Sequence, residues 1–347
     1  MDYLTEKVRR LTPYVAGMQP QEAGWIKLNT NENPYPPSPK VIDAIAKTDM
    51  GALKLYPDGD SSELRRAIAK ILGVGTENIF CGNGSDEVLA FAYQAFFSGK
   101  ENVLAPDISY AFYPVWGDLY DVRAKILPLD DNFNINVEDY RQGGGVIIAN
   151  PNAPTGIAIT PAEIEYIAGN NKDGVVIVDE AYIDFAKGLS SVSLTGKYEN
   201  LLVVRTFSKS HSLAGLRVGF AVGNIALIDG LQRVKDAFNS YPLGMLEQRG
   251  AKAAILDTGY WSETCSRIIA TRNKTAAELY KMGYNALDSH ANFLFVKVKD
   301  AKRLYEHLAG NKILVRYWDK PRINEFLRVS IGTDAEMEGF IQCVKQF

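Results

Sequence analysis

The chain has 347 residues, 46% of them hydrophobic and 23% charged, which is longer than one hydrophobic core usually serves and unlike a disordered, fibrous or disulfide-stapled protein. Its 38 basic and 41 acidic side chains leave a net charge of −3 with no block of like sign, which argues against nucleic acid or an anionic membrane as partner. There is no signal-peptide core and no apolar run near the ~20 residues that span a bilayer, so a cytoplasmic protein is expected.

Cys81, Cys265 and Cys343 are too far apart for a disulfide framework, and His211, His290 and His307 form no metal-ligand spacing, so no metal is expected. Residues 28–39 read Leu-Asn-Thr-Asn-Glu-Asn-Pro-Tyr-Pro-Pro-Ser-Pro, too proline-rich for a helix or a central strand. A helical pattern begins over 41–46. Residues 78–81 read as a short strand, followed by Gly82-Asn83-Gly84-Ser85-Asp86-Glu87 and a helical run over 88–97. A glycine-rich turn that opens a helix aims free N–H groups at an anion. A dinucleotide fingerprint would need a third glycine where Glu87 stands, and no P-loop lysine follows a glycine run. The turn therefore reads either as the seat of one phosphate, with Ser208 and Arg217 completing the cup, or as a plain glycine turn.

Apolar runs at 103–105, 146–149, 175–178, 201–204 and 218–222 alternate with helix-period segments. Their continuous apolar character suits strands buried on both faces, as in an α/β fold with a mainly parallel sheet. Tyr110, in Ser109-Tyr110-Ala111-Phe112-Tyr113, could lie over a flat ligand by offset stacking or simply pack in the core. Asn150-Pro-Asn-Ala-Pro-Thr-Gly156 is a rigid turn at a strand's C-terminal edge, where open α/β sheets bind ligands.

Asp179-Glu-Ala-Tyr182 ends one apolar run, and Thr206-Phe-Ser-Lys209 follows another. A lysine, an aspartate and a tyrosine at strand ends, with an anion-binding arginine nearby, are what pyridoxal phosphate chemistry needs. The amine forms a Schiff base with the cofactor aldehyde, and the carboxylate keeps the pyridine nitrogen protonated so that the ring can act as an electron sink. Beyond about residue 241 the pattern changes to a helix over 264–282, strands at 293–298, 313–318 and 326–331, a helix over 301–308 and a closing helix. We therefore expect an N-terminal arm (1–27), a large cofactor-binding domain (28–245) and a small α+β domain (246–347).

These motifs, with Thr12-Pro-Tyr14, Tyr56-Pro-Asp58 and Leu327-Arg328-Val-Ser-Ile-Gly-Thr333, make the chain resemble the fold-type I, pyridoxal phosphate-dependent aminotransferases nearly end to end, and among them the histidinol-phosphate branch. The resemblance implies that Lys209 carries the cofactor and shuttles the proton, that Asp179 pairs with the pyridine nitrogen, and that Tyr182 bonds the ring oxygen. It implies that Tyr110 stacks on the ring and that Gly84, Ser85, Asp86, Ser208 and Arg217 surround the phosphate. It further implies that Tyr56 is donated to the neighbouring subunit of a homodimer, that Arg328 grips an acidic substrate group, and that Tyr14, Asn31 and Arg316 lie at the substrate. The chain departs from the family at Ala153, where an asparagine is usual. Two alternatives follow: Asn152 takes that contact with the ring oxygen, or Tyr182 makes it alone. The implied reaction transfers an amino group between histidinol phosphate and 2-oxoglutarate. The rival readings are a lyase or decarboxylase of a phosphorylated amino acid such as threonine phosphate, and a binding module that keeps the cofactor without turnover.

Overall fold

The computed structural model describes residues 3–15 and 17–347. A seven-stranded sheet runs in the order Ile79–Asn83, Val218–Gly223, Leu201–Thr206, Val176–Asp179, Gly145–Ala149, Glu101–Pro106, Arg123–Leu127. The last five of these are mutually parallel, and Val218–Gly223 runs antiparallel to both its neighbours. The strands 145–149, 176–179, 201–206 and 218–223 are buried along their whole lengths, as continuous Val/Ile/Leu runs require when helices cover both faces of a sheet. Register places Ala149 level with Asp179, and Asp179 level with Val204. The turn after Ala149, the carboxylate of Asp179 and the loop bearing Lys209 therefore leave the sheet side by side at its C-terminal edge.

A smaller antiparallel sheet runs in the order Arg316–Tyr317, Phe326–Ser330, Phe293–Lys297, Asn285–Ala286. The helices Thr258–Lys281, Ala301–Gly310 and Asp334–Lys345 bury their apolar faces in its core through Ile268, Leu279, Leu304, Leu308, Phe340 and Ile341. The helix Met245–Leu256, at the junction of the two expected domains, packs Ala251, Ala254 and Ile255 into the core of the seven-stranded sheet.

The single strand expected over 313–318 is two. Ile313–Leu314 pairs in parallel with Ile26–Lys27, whereas Arg316–Tyr317 joins Phe326–Ser330. The physical reason lies in Leu28, whose side chain is buried in the small core and whose N–H donates to Leu314 O at 2.7 Å. The strand thus spends its first two residues on the N-terminal segment before it turns to the small sheet. Among the described residues no helix is long and apolar enough to cross a membrane, and no group of His, Cys, Asp and Glu could hold a metal ion. All three cysteines are buried free thiols.

Candidate functional site

A cavity of about 230 Å³ opens at the C-terminal edge of the large sheet, against the small one. Its floor is Asp179 and Lys209. Desolvation dominates both groups. Burial pushes the Asp179 carboxyl up to about 6, against hydrogen bonds from Tyr113 OH (3.0 Å) and Ala181 N (3.1 Å). Burial and the nearby Arg328 bring the Lys209 amine down to about 8, and its Nζ donates to Thr30 O at 3.1 Å. Among the described residues the carboxylate has two hydrogen-bond donors and no ion pair, so a cationic N–H placed before it would relieve its desolvation. The amine is partly neutral near physiological pH, as a nucleophile or a proton carrier must be.

Tyr182 stands beside Lys209, with the lysine Nζ 5.8 Å from its ring centroid. Its hydroxyl accepts from Asn31 Nδ2 at 3.0 Å, while burial raises its pKa, partly opposed by Arg328. Asn31 adopts a left-handed backbone (φ 56°) and is held by Ser330 Oγ, which bonds its N–H at 2.8 Å and its Oδ1 at 2.9 Å.

One wall is an anion cup. The helix Gly84–Ala92 begins at Asn83 with no side chain capping its first N–H groups, which leaves them for a ligand. Gly84 has φ 77°, and a Cβ there would come within 2.6 Å of the Arg217 guanidinium. Gly219, on the adjacent strand, would drive a Cβ to 2.3 Å from Ser85 N. The turn can therefore lie this close to its neighbours only as glycine. Arg217, itself left-handed at φ 53°, bonds Asp86 Oδ2 at 3.0 Å and reaches Ser208 Oγ at 3.5 Å. Tyr110 lies against the same group, its hydroxyl donating to Asp86 Oδ1 at 2.9 Å.

The opposite wall carries two arginines. Arg316 and Arg328 are directly paired across antiparallel strands. Like charges in that position repel, and an anion between them removes the cost. Arg328 donates to Asn29 O at 2.8 Å and lies over the rings of Phe293 and Trp318, yet its buried Nε has no partner. Arg316 Nη2 reaches Val15 O at 3.3 Å. Tyr14 closes the mouth, stacked on Phe112 with centroids 4.5 Å apart.

Most of the residues expected from the sequence therefore meet in one place. Lys209, Asp179, Tyr182, Ser85, Asp86, Tyr110, Ser208, Arg217, Tyr14, Asn31, Arg316 and Arg328 all line the cavity, with Gly84 just behind. Two do not. Asn152 is taken up in its own turn, donating to Ile108 O (3.0 Å) and Thr155 Oγ1 (3.1 Å) and accepting from Ser109 (2.8 Å), while Ala153 faces the cavity. Of the two alternatives for the ring-oxygen contact, this placement favours Tyr182 alone. Tyr56 is 81% exposed, away from the cavity, and stacks on Tyr241 at 4.7 Å. Sequence reasoning also missed Tyr113, the partner of Asp179, although its spacing three residues after Tyr110 was a signal. Thr30 and Asn33 lie in the Leu-Asn-Thr-Asn-Glu-Asn-Pro motif that carries the resemblance, but nothing in it assigned either residue a contact.

The family described as aminotransferase class I and II matches residues 23–344. The chain belongs to the class I and II aminotransferases. Histidinol-phosphate aminotransferase of Brachyspira hyodysenteriae is 48% identical over 346 residues, covering 99% of this chain and 98% of the relative. That of Clostridium beijerinckii is 50% identical over 343 residues, covering 98% and 96%. The crystal structure of the Sinorhizobium meliloti histidinol-phosphate aminotransferase in complex with pyridoxal-5'-phosphate superposes with a TM-score of 0.88 at 23% identity, covering 100% of this chain and 98% of that one. The cavity of this aminotransferase fits such a cofactor on its own terms. The uncapped helix start with Ser85, Ser208 and Arg217 suits a phosphate, the desolvated Asp179 suits a protonated ring nitrogen, and the Lys209 amine lies between them.

Proposed function

We propose that the chain is a pyridoxal phosphate-dependent transaminase that interconverts histidinol phosphate plus 2-oxoglutarate with imidazole acetol phosphate plus glutamate, in histidine biosynthesis. The observation that carries the reading is the Lys209 amine, lowered to about 8, in one cavity with a buried Asp179 and a facing pair of arginines. Full-length similarity to histidinol-phosphate aminotransferases supports the substrate choice.

Bound pyridoxal phosphate supplies an aldehyde that condenses with primary amines and a ring that draws electron density from the substrate α-carbon. The protein does the rest. Asp179 would accept the ring N–H and keep that proton in place, its carboxylate oriented by Tyr113 OH and the Ala181 N–H. Tyr182, oriented by Asn31, serves the ring oxygen. Lys209 takes the α-proton of the substrate and delivers it to the cofactor side, work that needs a neutral amine. Arg328 and Arg316 hold the substrate anion, a phosphate in one half-reaction and a carboxylate in the other. A guanidinium fork suits both.

The test is a substrate screen on the holoenzyme. Histidinol phosphate should be consumed only when 2-oxoglutarate is present, with glutamate formed in equal amount. Release of carbon dioxide from threonine phosphate without any oxo acid would instead make the chain a decarboxylase.

The anion clamp gives a sharper expectation. Arg328→Lys keeps the charge and loses the fork, so kcat/KM should fall roughly ten- to a hundredfold, the ~1.5–3 kcal/mol of a charge-assisted contact. The fall should appear for both histidinol phosphate and glutamate. Steady-state kinetics on the two substrates check it, and unchanged values for both would return Arg328 to a structural role.

We place the enzyme in the cytoplasm, in keeping with its free thiols, and read it as a homodimer. The exposed Tyr56, with exposed Met50, Leu53 and Leu55 close to it in sequence, supports an interface on this segment. Mixing Tyr56→Phe chains with Lys209→Ala chains, each inactive alone, should restore activity, because one site of the heterodimer then holds both native residues. Heterodimers that form without recovering activity would show that Tyr56 serves its own chain.

A further inference from the structure

Residues 29–33 form a strip along the cavity, and nearly every one of them touches a different working part. Asn29 O accepts from Arg328 at 2.8 Å, Thr30 O from Lys209 Nζ at 3.1 Å, and Asn31 holds Tyr182. The strip is tied to the small sheet through Leu28 O, which accepts from Ser330 N at 2.9 Å, while Leu28 N donates to Leu314 O at 2.7 Å just ahead of that sheet's edge strand. Asn33 reaches the other way. Its Nδ2 donates to Lys209 O at 3.1 Å and Ser210 O at 3.2 Å, while its Oδ1 accepts from Tyr35 N at 3.0 Å. That last bond fixes the orientation of the amide, so both N–H donors are directed at the main chain beside the lysine.

The same peptide is held from behind. Ser210 Oγ donates to Asp184, which is ion-paired with the buried Arg205. The Lys209–Ser210 peptide thus sits between an ionic anchor of the large sheet and an amide of the strip. The Asn33 amide joins its main chain to the strip that also meets Arg328, and the Lys209 side chain joins the same strip at Thr30 O.

We propose that Asn33 is a positioning residue: its amide holds the main chain of Lys209 to the strip that carries the substrate clamp, and so sets where the lysine amine stands during proton transfer. This rests on Lys209 being the proton carrier of the transaminase reaction. The role demands a double donor. Aspartate has the size of asparagine but would set a carboxylate against two carbonyl oxygens, and alanine would remove both main-chain contacts to the strip while the Ser210–Asp184 anchor stays.

The experiment compares wild-type, Asn33→Asp and Asn33→Ala holoenzymes in the glutamate half-reaction, with ordinary and α-deuterated glutamate. Melting temperature is measured alongside, as is cofactor fixed to the chain by borohydride reduction. Proton transfer should slow roughly ten- to a hundredfold, as a small misplacement of a reacting group does. The isotope effect on kcat/KM should rise above the wild-type value, while covalent cofactor and melting temperature stay close to wild type. Wild-type rates and isotope effects in both variants would overturn the proposal. So would a rate loss that follows melting temperature or cofactor content with the isotope effect unmoved. Should Asn33→Ala fail to fold, the size-matched Asn33→Asp decides by the same criteria. If wild-type holoenzyme converts no glutamate to 2-oxoglutarate, the transaminase reading falls, and this role with it.

Discussion

Lys209→Ala should still bind pyridoxal phosphate but should never become covalently joined to it. The phosphate cup of Ser85, Ser208 and Arg217 and the carboxylate of Asp179 are untouched by the change, so noncovalent affinity survives in part. After borohydride reduction the wild-type chain should gain the mass of the cofactor at Lys209 and the variant should not. Turnover should fall by roughly 10²–10⁴-fold from lost proton transfer alone. In the wild type, capture of added cofactor by the cofactor-free protein should quicken as pH rises and level off above about 8, where the amine has lost its proton. A variant that keeps the covalent adduct would show that another lysine is the attachment point.

Asp179→Asn should move activity and stability in opposite directions. The cofactor nitrogen loses its anionic partner, a buried pair whose rupture costs ~3–5 kcal/mol, so kcat/KM should drop by roughly a hundred- to several thousandfold. The cofactor-free protein, in contrast, should become harder to unfold. Burial raises the folded-state pKa of Asp179 to about 6 from 3.8, so the folded protein holds its proton more tightly than the unfolded chain does. The contribution of Asp179 to the stability of the cofactor-free wild type is therefore fully present below about pH 4 and is lost as pH rises through 6, by up to about 3 kcal/mol. Asparagine escapes that loss. Denaturant midpoints of the two cofactor-free proteins should diverge between pH 4 and 7, and parallel curves would contradict the account.

The central strands of the large sheet were legible in the sequence because burial on both faces leaves an uninterrupted apolar run, as in Val-Val-Ile-Val at 175–178. The edge strand Arg123–Leu127 was not, since four of its five residues are exposed and its Arg-Ala-Lys-Ile-Leu sequence carries no such run. Ile26–Lys27 was illegible for another reason: two residues have no period, and their pairing with Ile313–Leu314 is set by tertiary contact. In the site, the residues with a strong chemical signature were found, whereas Asn33 and Asp184 act through main-chain and hydroxyl contacts between segments far apart in sequence. Asn152 misled because a turn asparagine can spend its amide on the turn itself.

The pairing of Ile26–Lys27 with Ile313–Leu314, and of Asn31 with Ser330, also fixes an order in time. All seven strands of the large sheet have been synthesised once residue 223 is made, yet the small-sheet partners of the segment at 26–31 do not exist until about residue 330. At ~5–20 residues per second the strip waits roughly 15–60 s for its partners. The cavity is therefore completed only late in synthesis, after the large sheet that forms its floor. A long unpaired strand held open for that interval would invite pairing with a neighbouring nascent chain. Here only two residues of the waiting segment are strand, and the proline-rich stretch that follows them offers few N–H groups to a stranger.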